Sequence, residues 1–121
     1  MTATQITDAT RRALRQRSQG RCERCNETEA VQAHHRKPRG SGGTMLKTSH
    51  LLSCLLHVCV PCHLAIERNR ARAVVHGWLV EHPGEPADVP VLMHNVNYVG
   101  PGKYLLHDDG GVTRVWDEEA A

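Results

Sequence analysis

CLLHVCVPCH, residues 54 to 63, places three cysteines and two histidines within ten positions. CERC, residues 22 to 25, repeats the two-residue gap of Cys59 and Cys62, and 33 residues separate the two pairs. Two adjacent thiolates on a tight turn reach a tetrahedral Zn²⁺ at about 2.3 Å, and two such turns complete its shell. The spacing therefore predicts one structural zinc held by Cys22, Cys25, Cys59 and Cys62. A site closed by four sulfurs holds a fold and leaves no position for substrate. The competing readings are a buried thiol pair beside an incidental one, or a redox pair. No thioredoxin-like βαβ pattern surrounds either cluster.

Composition explains why such a staple is needed. Among 121 residues the only aromatics are Trp78, Trp116, Tyr98 and Tyr104, with no Phe. Aromatic rings supply much of the buried area in ordinary cores, and small folds short of core lean on disulfides or metals. Five cysteines is an odd number, and the first residues, MTATQITDATRRALRQ, contain no apolar run of signal-peptide type. Nothing approaches the roughly 18 apolar residues of a membrane span. A cytoplasmic location is expected, where thiols stay reduced and paired Cys-x-x-Cys elements favour zinc.

The formal net charge of +2 hides an asymmetry. Residues 11–72 carry thirteen Arg or Lys against four acids, whereas the remainder carries two against nine. A basic body beside an acidic tail suits a polyanionic partner, although a solvated charged face would look the same.

Along the chain, ITDATRRALRQRSQG reads as a helix with Thr7 as N-cap, Asp8 in the first turn and Gly20 as its stop. Its arginines spread around the cylinder, so it should pack weakly and show mostly charge. Val31, Ala33 and His35 alternate with Gln32, His34 and Arg36, the period of a strand. Pro38 and glycines 40, 42 and 43 make a turn. Residues 44–58 fit loop plus strand or a short helix. Pro61 suits the first turn of a helix ended by Gly77. EHPGEPADVP reads as a linker, and the C-terminal stretch as a short β-meander or hairpin.

His34 and His35 must face opposite sides of a strand, which makes two different roles natural. Alone they could equally be a half-exposed polar patch, or phosphate-binding groups without catalysis. Taken with GRCERC, HHRKPRGSGG, LLHVCVPCH and GWLV, however, the order of motifs over roughly residues 18–80 resembles the HNH endonucleases. The zinc-stapled type of actinobacterial phages and prophages is especially similar.

The resemblance implies an α+β chain: a small zinc-stabilised ββα-metal (His-Me finger) fold with an N-terminal helix and a C-terminal β-hairpin extension. The division would be a basic helix over 1–20, a nuclease core over 21–80, and a linker with β extension over 81–121. It also implies a metal-dependent DNA endonuclease, leaving 5′-phosphate and 3′-hydroxyl ends. His35 matches the general base, for which a reference pKa near 6.5 is apt. His34 and His63 match ligands of a catalytic divalent cation (Mg²⁺, Mn²⁺, Ni²⁺ or Zn²⁺). In phage relatives such enzymes often act beside the terminase, which would make terminase a partner alongside DNA.

One position departs from the pattern. The family's Asn, five residues before the third cysteine, is here Cys54, and a thiol cannot replace two amide hydrogen bonds. Cys54 fits a buried small hydrophobe, a spare zinc ligand or a direct metal contact. His50, in HLLSC, offers a second alignment at the cost of extra residues before Cys59. Glu67, four residues after His63, suits a further ligand, a water anchor or a salt bridge with a nearby Arg. His57 suits packing or support of the zinc site. Arg36, Lys37, Arg39, Lys47, Arg68 and Arg70 are the expected phosphate contacts, holding DNA without reading its sequence. The other reading is a non-catalytic zinc module that binds nucleic acid and needs neither His35 nor His63.

Overall fold

A computed structural model of the chain describes residues 6–37, 50–94 and 100–115. The Pro/Gly turn after residue 37, Arg39, Lys47, Tyr98 and Trp116 lie outside these. The architecture is mixed α+β, with three α-helices and two small antiparallel sheets among the described residues.

Helix α1, Asp8–Ser18, begins at Thr7, whose hydroxyl accepts from the Thr10 main-chain N–H at 3.1 Å. Its exit turn is left-handed at Gln19 (φ 54°) as well as Gly20 (φ 80°). Leu14, Arg17 and Ser18 share one helix face and are buried, Leu14 packing with Leu52 and Leu55. The expectation of a weakly packed helix that shows mostly charge is therefore corrected at Arg17. That side chain is 3% exposed and grips Glu23 through two bonds of 2.8 Å. It also donates to the carbonyls of Leu52 at 2.8 Å and Leu55 at 2.6 Å. A bidentate arginine with all acceptors supplied is the arrangement under which a buried ion pair is tolerated.

Strands β1, Gln32–His35, and β2, Leu55–Val58, pair antiparallel with Gln32 opposite Val58 and His35 opposite Leu55. Helix α2, Val60–Arg68, follows β2 directly, with proline in its first turn. The single helix expected up to Gly77 is instead two. Asn69 leaves helical geometry (φ −135°, ψ 78°), and its side chain accepts from the Arg72 N–H at 3.1 Å to start α3, Arg70–Val75. A short amide side chain competes with the helix ladder and favours caps. Gly77 does end α3, at φ 78°, and a Cβ there would lie 2.0 Å from the Pro90 carbonyl oxygen.

The C-terminal part is a three-stranded meander rather than a hairpin: β3 (Val91–Met93), β4 (Gly102–Leu106) and β5 (Val112–Val115) in that order. Val91, Met93, Tyr104 and Leu106 face the same core as Leu56, Val58, Ile66, Trp78 and the zinc-site cysteines 22, 59 and 62. Burying an aliphatic side chain of this kind contributes about 1.5–3 kcal/mol. Trp78 anchors the junction, 4% exposed, its indole N–H donating to Leu92 O at 2.8 Å.

Arg36 ties the two halves together. The phosphate contact expected at this position is corrected: the side chain is 0% exposed. Its guanidinium donates to Gly77 O (2.9 Å), Ser53 O (2.7 Å), Pro86 O (3.0 Å) and Val89 O (2.8 Å). The stretch that reads as a linker is thus fastened to the core at Pro86 and Val89. Burial brings Arg36 down to about 10, which still leaves it charged at neutral pH.

Candidate functional site

The four cysteines meet where the turn after α1 faces the start of α2. Cys22 starts a knuckle in which Asn26 N–H returns to Cys22 O at 2.8 Å, Asn26 being left-handed (φ 58°). Cys59 is the N-cap of α2, and Cys62 lies in its first turns. Their sulfurs all lie within 4.8 Å of one another, and Cys25 and Cys59 are 3.9 Å apart. Bonds of about 2.3 Å in a tetrahedron require sulfurs about 3.8 Å apart, so the cluster fits a structural metal ion such as zinc. Among the described residues no other set of three or more His, Cys, Asp or Glu gathers its ligand atoms in this way.

Burial pushes the Cys62 and Cys25 thiols up. At Cys22 burial is outweighed by main-chain N–H groups of Cys25, Cys59 and Arg24, which bring the thiol down. A bound dication would deprotonate all four. Arg24, which sequence reasoning missed, donates to Cys62 Sγ at 3.2 Å while lying 4.3 Å over the Trp78 ring. Its charge offsets that of the sulfur cluster.

The histidines gather on the β1–α2 side. His34 is 3% exposed, and its Nε2 lies 2.8 Å from Trp78 O. A carbonyl only accepts, so Nε2 carries the proton and Nδ1 is the acceptor. His63 shows the complementary state: Nδ1 lies 2.6 Å from Gln32 Oε1, leaving Nε2 as acceptor. The two rings meet edge-on, centroids 5.1 Å apart. A ring nitrogen fixed by an oxygen acceptor, with the other presented, is the usual arrangement of a metal-ligating histidine. Burial, with smaller effects of neighbouring charges, lowers His34 to about 4, so it is neutral as a ligand must be.

His35 points the opposite way, as strand alternation requires. Its ring stands 5.4 Å from that of His50, with Nε2 to Nδ1 at 3.4 Å. His35 and His63 line a common cavity of about 390 Å³. Two partners escaped sequence reasoning. Gln32 carried a signal, since it precedes His34 by two and so shares its face. His50 carried only its resemblance to an alternative Asn position.

Cys54 closes a 3-10 turn, Leu52–Cys54, directly before β2, and is 1% exposed. Burial raises its thiol, opposed by the main-chain N–H groups of Lys37 and Arg36. It is not among the four clustered cysteines; it is a buried thiol facing the chain just after His35. All four carbonyls from Leu52 to Leu55 are taken by arginine groups: Arg17 at 52 and 55, Arg36 at 53 through its side chain and at 54 through its main chain.

Glu67 bonds Arg70 through both oxygens, at 3.0 and 3.1 Å, which is the salt-bridge alternative. His57 packs: Nδ1 lies 2.6 Å from Ser18 Oγ and its main-chain N–H binds Glu23. Arg68 and Arg70 are exposed and Lys37 is partly buried. No described helix is long and apolar enough to cross a membrane. Comparison with models of known families, with curated proteins and with solved structures finds no match to this chain.

Proposed function

We propose that the chain is a metal-dependent DNA endonuclease of the HNH kind, its structural ion held by Cys22, Cys25, Cys59 and Cys62. The observation that carries this reading is the histidine arrangement. His34 and His63 meet edge-on with centroids 5.1 Å apart, each with one ring nitrogen anchored to an oxygen, and His35 shares a cavity with His63. When bound between His34 and His63, a divalent cation would supply a Lewis acid and charge clamp for the scissile phosphate.

The remaining work falls to the chain. His35 takes the proton of the attacking water, and water adds to phosphorus opposite the 3′ oxygen, which leaves to give 5′-phosphate and 3′-hydroxyl ends. Trp78 O and Gln32 keep the two ligand rings from turning. Association with a phage terminase belongs to this reading only through the family resemblance.

A second reading, a zinc-stabilised nucleic-acid-binding module without catalysis, is favoured by Cys54, since a buried thiol stands where the resemblance calls for an amide. Supercoiled plasmid incubated with zinc-loaded protein and Mg²⁺, Mn²⁺ or Ni²⁺ separates the two. Nicking that disappears in His35→Ala, with unchanged circular dichroism, is the expected result. DNA binding with no nicking under any of these metals would overturn the nuclease and favour the module.

A further inference from the structure

Two cavities run along the seam between α1 and β1. The first, about 390 Å³, is lined by His35 and His63 together with Arg11. The second, about 370 Å³, continues past Arg15 to His57 and Glu29. Arg11, Val31 and Ala33 line both, so the two form one groove that includes His35 and His63. Arg11 and Arg15 are exposed and one helical turn apart, about 6 Å along the axis. The floor includes Val31, an apolar side chain left 59% exposed. Glu29 is the single acid among the lining residues, and it lines only the second cavity.

A cationic wall over an apolar floor suits a sugar–phosphate backbone: guanidinium groups take phosphates, and the aliphatic surface meets sugars. A hydrophobic ligand would leave Arg11 and Arg15 idle, and an isolated small anion would not use the length of the groove. We infer that this groove carries the DNA strand flanking the scissile phosphate, with Arg11 and then Arg15 binding successive phosphates on one side of the cut. The inference rests on the nuclease reading for its direction, and it moves the principal phosphate contacts from the α2–α3 arginines to α1.

The test is binding of a short fluorescein-labelled duplex, and of its single strand, to zinc-loaded protein across a salt series without a second metal. Arg11→Ala and Arg15→Ala should each flatten the slope of log K against log salt by about 0.9 on duplex or about 0.7 on single strand. Together they should weaken binding by about tenfold or more at physiological salt. Whichever form shows the larger loss is the form the groove accepts. Both arginines are exposed, so folding should be unchanged. Arg12→Ala, exposed on the same helix but absent from the groove lining, should change the slope less than either.

Wild-type affinity and slope in the double variant would overturn the inference, as would an equal loss in Arg12→Ala. The nuclease reading fails separately. Groove-dependent binding without nicking removes catalysis and leaves the groove, whereas nicking with binding indifferent to Arg11 and Arg15 removes only the groove.

Discussion

Replacing Arg36 by Met tests the central correction to the sequence reading. Methionine matches much of the arginine stem in length and is apolar, so the change removes donors more than volume. Three carbonyl oxygens, of Ser53, Gly77 and Val89, lose their partner, whereas Pro86 O keeps the Val89 main-chain N–H at 3.2 Å. A buried acceptor left unsatisfied costs about 1–3 kcal/mol, so three cost about 6 kcal/mol at the middle of that range. Against this stands relief from burying a charge. The fall from 12.5 to about 10 corresponds to about 3 kcal/mol. The net loss is about 3 kcal/mol, a large fraction of the stability of a small domain.

Urea unfolding of zinc-loaded protein, followed by circular dichroism, should show Arg36→Met with its cooperative transition moved to clearly lower denaturant. Arg36→Lys keeps a charge and three donors, and should lose about 2 kcal/mol. An Arg36→Met protein that unfolds within about 1 kcal/mol of wild type would refute the reasoning. Impaired DNA binding in the same variant would then return Arg36 to the surface role that the sequence suggests.

Other tests reach the remaining parts. The protein should hold one zinc per chain at the cysteines, and Cys59→Ser should release it to a chromogenic chelator. Structural zinc is worth about 10–16 kcal/mol in small sites, so stripping it should abolish cooperative unfolding; an unchanged transition would dismiss the staple. His34 is held neutral by the fold, near 4 rather than 6.5. The unfolded chain therefore takes up the proton first, and stability should fall as pH drops from about 6.5 to about 4, by up to about 3 kcal/mol from this group. His34→Gln should flatten that decline at equal zinc content; parallel curves would reject the assignment. Cys54→Asn should raise nicking by roughly tenfold, about 1.4 kcal/mol of transition-state stabilisation, and an unchanged or lower rate would acquit the cysteine.

The sequence was most informative where chemistry is local. The two Cys-x-x-Cys turns, the Thr7 cap, the alternation across His34 and His35 and the Gly77 stop each depend on neighbours a few positions apart, and so leave a readable pattern. What stayed hidden depends on partners distant along the chain. Arg17 and Arg36 look like surface charges until Glu23 and the carbonyls around 52–55 and 86–89 are brought to them. The break at Asn69 was hidden differently: its amide competes with a helix ladder whose apolar spacing runs on undisturbed. Gln32 and Trp78 hold His63 and His34 through contacts across 31 and 44 positions, pairings that no local pattern announces.

The Arg36 clamp also bears on how the gene can be cut. A fragment ending at residue 80, just past the last nuclease-like motif, would keep the Ser53 and Gly77 acceptors but discard those of Pro86 and Val89. It would also bare the face that Val91, Met93, Tyr104 and Leu106 cover. Minimal expression pieces, and fusions that attach a DNA-targeting module, should therefore retain the meander and join beyond it, since the motif-bearing half has no finished interior of its own.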